Sequence, residues 1–211
     1  VTISYTEGGK TVTAVQTVSV GSQSAGTSGH NYSWDFSKAA GGNTLEAESG
    51  EGLSPNTLTY SSNTIPGVSG GALTNAGGYF TAGTPIALSE NQAWTIEWKG
   101  STTGNSVVLA ENGETDSGSS KAGAYLYVFQ DNGGPFSLSL REKNTTGIVT
   151  FNDIDEDIRS NADAVWRLHH DGTGGLTLTI TADGQEVYNK TIRNDGVNRD
   201  YQFNGVLGRF T

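Results

Sequence analysis

The chain has 211 residues, of which 30 are glycine, 4 proline and none cysteine or methionine, and its formal charge is −10. The lack of cysteine excludes disulfides, thiolate metal sites and cysteine nucleophiles, and the acidic balance argues against nucleic acid or an anionic membrane, since both demand a basic patch. No apolar run reaches the ~20 residues of a membrane span, so no membrane insertion is expected, and the missing methionine implies a processed product or a segment of a longer chain.

In chain order, residues 1–5 and 12–20 alternate in β fashion around Glu7-Gly8-Gly9-Lys10, which predicts a hairpin over residues 1–20. A lone hairpin is marginal in water, so this one must pair with something else. Residues 21–29, GSQSAGTSG, are small and polar and read as a linker. From residue 30 onward the pattern is continuous β. Residues 31–36 open it, 40–71 are polar and irregular, and 71–80 give a short strand with a bulge or turn. Residues 94–99 alternate, with Trp94, Ile96 and Trp98 on one face, and 107–110 form a buried strand. Residues 124–129 turn at 131–134 and pair with 136–141. A meander follows, with strands at 165–170, 176–180 and 186–188 and turns at 171–175 and 182–184. One helical turn fits within 155–164. Many short strands, each with one apolar face, predict two packed antiparallel sheets, with Ile96, Trp98, Leu138, Leu140, Leu168, Leu178 and Ile180 in the core between them.

The order of four pieces resembles the concanavalin A-like lectin/glucanase superfamily, in its laminin G-like branch. They are NYSWDFS (31–37), GGALTNAGGYF (70–80), WTIEWKG (94–100) and VWRLHHDGTGGLTLTITADGQEV (165–187). The last, strand and Asp-Gly turn twice over, is the most specific. The resemblance covers residues 30–211 and implies a two-sheet antiparallel jelly-roll sandwich that holds ligands on a concave face or along its rim. Such domains carry a further strand after the segment matched by residues 201–207, so the expectation is that the jelly roll either lacks its last strand here or has another segment in its place. YTEGGKTVTA (5–14) is similar to the last two strands of bacterial Ig-like repeats, which implies that the natural protein continues upstream. The domains expected are therefore 1–20, the end of an Ig-like domain; 21–29, a linker; and 30–211, the jelly roll.

Candidate chemistry is sparse. Asp153, Asp155 and Asp157 would share a face if residues 152–157 were a strand. Clustered carboxylates suit calcium, and a solvated acidic loop is the alternative. The Glu-x-Asp-x-x-Glu strand of the superfamily's glycosidases has no match here, so no enzyme is expected. His169 and His170 are adjacent, so on a strand they point to opposite faces and do not form a zinc site. Gly172, Gly174 and Gly175 lie between strands, without the helix and lysine of a phosphate loop. Tyr125, Tyr127 and Phe129 share one face of a strand whose other face is also apolar. That strand is either covered on both sides or offers an aromatic platform for a sugar ring. Arg141, Arg167 and His169 are the expected polar neighbours of such a platform.

The resulting expectation is a non-catalytic recognition module for a cell-surface or extracellular glycan. It would belong to a multidomain bacterial surface protein or a bacteriophage virion protein, and so be extracellular. The alternative is a structural decoration or adhesion domain acting through protein–protein contacts, including self-association along an open sheet edge.

Overall fold

The computed structural model describes residues 5–7, 10–12, 18–23, 31–39, 44–60, 67–69, 72–74, 80–101, 106–110, 125–130, 135–141, 149–193, 201–203 and 209–210. The strands are β1 (Tyr5–Glu7), β2 (Lys10–Val12), β3 (Val18–Gln23), β4 (Asn31–Trp34), β5 (Thr44–Leu45), β6 (Leu58–Tyr60), β7 (Gly67–Ser69), β8 (Ala72–Thr74), β9 (Phe80–Ala82) and β10 (Ile86–Leu88). They continue as β11 (Ala93–Lys99), β12 (Ser106–Ala110), β13 (Tyr125–Gln130), β14 (Phe136–Arg141), β15 (Val149–Ile154), β16 (Val165–Asp171), β17 (Gly175–Ala182), β18 (Gln185–Arg193), β19 (Tyr201–Phe203) and β20 (Arg209–Phe210). One helical turn, α1 (Glu156–Ser160), separates β15 from β16, as its position in the sequence predicts.

The fold is all-β and antiparallel. A six-stranded sheet of order β18-β17-β16-β11-β3-β4 and a five-stranded sheet of order β15-β14-β13-β12-β20 dominate it. The inner faces of both contribute to one apolar cluster, which makes the molecule sandwich-like. Alternation decides which side chains enter that cluster. From the six-stranded sheet come Ile96, Trp98, Trp166, Leu168, Leu178 and Ile180. From the five-stranded sheet come Leu126, Val128, Phe136, Leu138, Leu140 and Phe151. Each large side chain so buried contributes about 1.5–3 kcal/mol relative to exposure. All seven core residues expected from parity are buried. The small sheet β5-β6-β9 adds Leu58, Tyr60 and Phe80 to the same cluster.

The meander is built as its turn residues dictate. In β17–β18, Ala182 pairs with Gln185 across Asp183 and Gly184, whose φ angles are 51° and 75°. Two successive positive φ values define the two-residue turn that Asp-Gly favours, because its twist matches that of the flanking strands. In β16–β17 the Asp171 carboxylate accepts bonds from the amides of Thr173 (2.7 Å) and Gly175 (3.0 Å) and from the Thr173 hydroxyl (2.9 Å). Gly172 and Gly174 take φ values of 80° and 92° there.

The N-terminal expectation needs correction. β1 and β2 do pair antiparallel, with Tyr5 opposite Val12 and Glu7 opposite Lys10. Residues 18–23, however, are not the end of a separate unit followed by a linker. They form β3, an inner strand of the six-stranded sheet, with Val20 opposite Ile96 on one side and Tyr32 on the other. The physical reason is pairing demand: β3 fills the position between β11 and β4, so neither carries an open edge there. The rest of the expected linker, 24–29, lies outside the described residues.

Candidate functional site

The face of the six-stranded sheet turned away from the core is polar in register. One row across β11, β16, β17 and β18 reads Thr95, His169, Thr177 and Thr191; the next reads Glu97, Arg167, Thr179 and Asn189. Side chains link within the rows. Thr95 Oγ1 lies 3.0 Å from His169 Nδ1, and Thr177 Oγ1 lies 2.8 Å from Thr191 Oγ1. Arg167 Nε lies 4.0 Å from a Glu97 carboxylate oxygen, and its side chain is half exposed. An ion pair that long and that wet contributes little to stability, so the guanidinium keeps donors available to a ligand. At the rim of the same face Arg193 donates to Asp171 at 2.9 Å. Burial disfavours the Asp171 carboxylate, but the Gly175 and Thr173 amides, the Thr173 hydroxyl and the Arg193 charge outweigh it, and its pKa falls to about 2.

Of the residues expected to bind sugar, the structure brings only Arg167 and His169 together on this face. Tyr127 belongs to β13 in the other sheet and points away from Leu126 and Val128, so it faces the opposite side of the molecule. It is 6% exposed and stacks on Phe129 with centroids 5.3 Å apart, beside buried Ser137 and Ser139. At Tyr127 the outward side of β13 is therefore covered and offers no aromatic platform there. Tyr125 and Arg141 pair in register at the end of β13–β14. Their side chains lie outside the described residues.

The carboxylates also separate. The period of two required a strand through residue 157, but β15 ends at Ile154 and α1 begins at Glu156. Asp153 sits at a positive φ of 66°, exposed. Asp155 caps α1, accepting from the Asp157 amide at 3.0 Å, and Asp157 lies in the first helical turn. Among the described residues no group of three or more His, Asp or Glu side chains is placed to hold a metal, so a calcium site at these three is not supported.

Sequence reasoning placed His170 opposite to His169 but missed its surroundings. His170 is 1% exposed on the core face and stacks on Trp94 with centroids 5.2 Å apart. Its Nε2 lies 3.3 Å from Glu90 Oε1, and its Nδ1 lies 3.1 Å from the Gln92 carbonyl and 3.2 Å from the Gly172 amide nitrogen. No local pattern reveals Glu90 and Gln92 as partners, since they come from a segment roughly 80 residues earlier. The polar outer face, by contrast, had a signal in Thr177, Thr179 and Thr181, at a period of two against Leu176, Leu178 and Ile180.

No protein-family model matches the chain, and no curated protein or solved structure is significantly similar to it. Among the described residues no helix is long and apolar enough to cross a membrane.

Proposed function

We propose that this chain is a non-catalytic recognition module that binds a glycan on the outer face of its six-stranded sheet. The observation that carries the reading is the placement of Arg167 and His169 on one exposed face among ordered rows of threonine hydroxyls. A guanidinium donates in a planar fork, and hydroxyls and carboxylates both accept, which suits the paired hydroxyls of a sugar. The resemblance of residues 30–211 to the laminin G-like branch of the concanavalin A-like superfamily supports a jelly-roll topology and an extracellular setting, on a bacterial surface or a virion. Stacking does not supply the affinity in this reading, since Tyr127 is buried. The site depends on hydrogen bonds from Arg167, His169 and the threonine hydroxyls.

A second reading has an observation of its own. The outward side of β13–β14 is filled, with Tyr127, Ser137 and Ser139 all buried. A filled face suits a decoration or adhesion domain that acts through protein contacts.

A glycan array probed with the chain in multivalent form separates the two. Binding that falls at least about tenfold in Arg167→Ala supports the first reading, since loss of a charged donor costs roughly 1.5–3 kcal/mol. An array with no retained glycan, or binding indifferent to Arg167 and His169, rejects that site.

A further inference from the structure

We propose that His170 is a proton-controlled latch between residues 89–92 and the β16–β17 turn. One ring nitrogen, Nδ1, faces two partners with opposite requirements. The Gly172 N–H, at 3.2 Å, needs a lone pair there; the Gln92 carbonyl, at 3.1 Å, needs a proton there. A neutral ring protonated on Nε2 donates to Glu90 and accepts from Gly172, which leaves the Gln92 carbonyl against a lone pair. A doubly protonated ring keeps Glu90 as an ion pair and gains Gln92, but turns an N–H toward the Gly172 N–H. Neither state satisfies all three neighbours: Glu90 is held in both, and the proton decides whether Nδ1 engages the turn through Gly172 or residues 89–92 through Gln92.

The packing transmits that choice. Gly172 lies so close to the 89–92 segment that a Cβ on it would stand 3.0 Å from Ala93 N and 3.1 Å from Gln92 C. The turn and the segment therefore cannot adjust independently when Nδ1 changes partner. The groups facing the ring among the described residues come from residues 89–92, β11 and β17. From residues 89–92, Glu90 faces the ring. From β11 the neighbour is Trp94, and from β17 it is Leu176, opposite His170 in register. Asp171, the next residue, turns its carboxylate to Thr173, Gly175 and, on β18, Arg193. A proton taken up by His170 is thus balanced by Glu90, and the latch moves toward Gln92 as the medium becomes more acidic.

The test uses the isotopically labelled wild-type chain in solution. Long-range ¹H–¹⁵N correlation reads the His170 tautomer and protonation, and hydrogen exchange, corrected for its intrinsic pH dependence, reads Gly172. Expected are an Nε2–H ring with a protected Gly172 amide near neutrality, and protection lower by about three- to tenfold once the ring is doubly protonated, the factor carried by one ordinary hydrogen bond. Glu90→Gln removes the balancing anion, so both changes move together to lower pH. A ring that stays neutral until the chain unfolds overturns the proposal. So does protonation that leaves Gly172 protected, or a variant in which the two changes part.

Discussion

Lys190 stands opposite Leu178 in the β17–β18 ladder, on the face whose other members, Tyr188 and Ile192, pack against the core. β18 is the edge of the six-stranded sheet, and a lysine at a core-facing position of an edge strand resists pairing with another chain. A bulge adds to this: Val187 has no partner between the pairs Ile180–Tyr188 and Thr181–Glu186, and it is 42% exposed. Lys190→Val removes the charge and leaves a flatter apolar edge. The variant is expected to associate in a concentration-dependent way that the parent chain does not, and sedimentation velocity over a concentration series checks it. Identical profiles for the two chains would show that the edge is blocked by other means.

The two faces of β17 respond differently to truncation. Leu178 is fully buried, and Leu178→Ala is expected to cost about 2–5 kcal/mol through lost transfer energy and the cavity left behind. Thr177 lies one residue away on the outer face, with a hydroxyl bond to Thr191. Its replacement by alanine is expected to cost less than about 1 kcal/mol. Urea denaturation of the pair checks the assignment of faces, and comparable losses would mean that β17 is covered on both sides.

Asp171 gives the turn an acid dependence. Its carboxyl titrates at about 2 in the folded chain against an ordinary 3.8, so its contribution is present above pH 4 and lost as the pH falls through 2. Its side chain is 35% exposed, so solvent screening reduces the contribution to about 1 kcal/mol. Asp171→Asn keeps an oxygen for the amides of Thr173 and Gly175 but removes the charge. The variant is expected to be less stable than the parent by about that amount at pH 7 and to match it near pH 2. A gap of equal size at both pH values would show that geometry, not charge, holds the turn.

The parts of the fold visible in the sequence were those fixed by neighbours in the chain. Alternation at Trp94, Ile96 and Trp98 and at Leu176, Leu178 and Ile180 specified which side faces inward, because a one-residue slip would expose every one of them. Asp183-Gly184 specified its turn, because few other pairs accept two positive φ angles. What depends on distant partners stayed hidden. Tyr125, Tyr127 and Phe129 read equally well as a covered face or a platform, since burial of Tyr127 is decided by whatever packs over β13. Arg167 and Tyr127 looked like neighbours until the topology placed them on different sheets. Asp153, Asp155 and Asp157 were read on one period, but the chain changes from strand to helix between them.

The placement of β3 supplies the last prediction. Of the alternating residues 12–20, residue 12 ends β2 and 18–20 begin β3, while 13–17 lie outside the described residues; sequence alone could not say which sheet received β3. In the fold Val20 is hydrogen-bonded territory on both sides, between Ile96 of β11 and Tyr32 of β4. Proline there removes a ladder donor and places a ring against a neighbouring strand, a substitution tolerated at edges and not inside a sheet. Val20→Pro is therefore expected to cost about 3 kcal/mol, which lowers the melting temperature by about 6–12 °C for a chain of this size. In a detached hairpin or linker the same change would leave the melting of the sandwich untouched. Differential scanning calorimetry distinguishes the two. Hydrogen exchange adds a second reading on the parent chain: the amides of Ser19, Val20 and Gly21 are expected to be protected along with those of Thr95 and Ile96, because strands of one sheet open together. Fast exchange at residues 19–21 beside slow exchange at 95–96 would return β3 to the periphery.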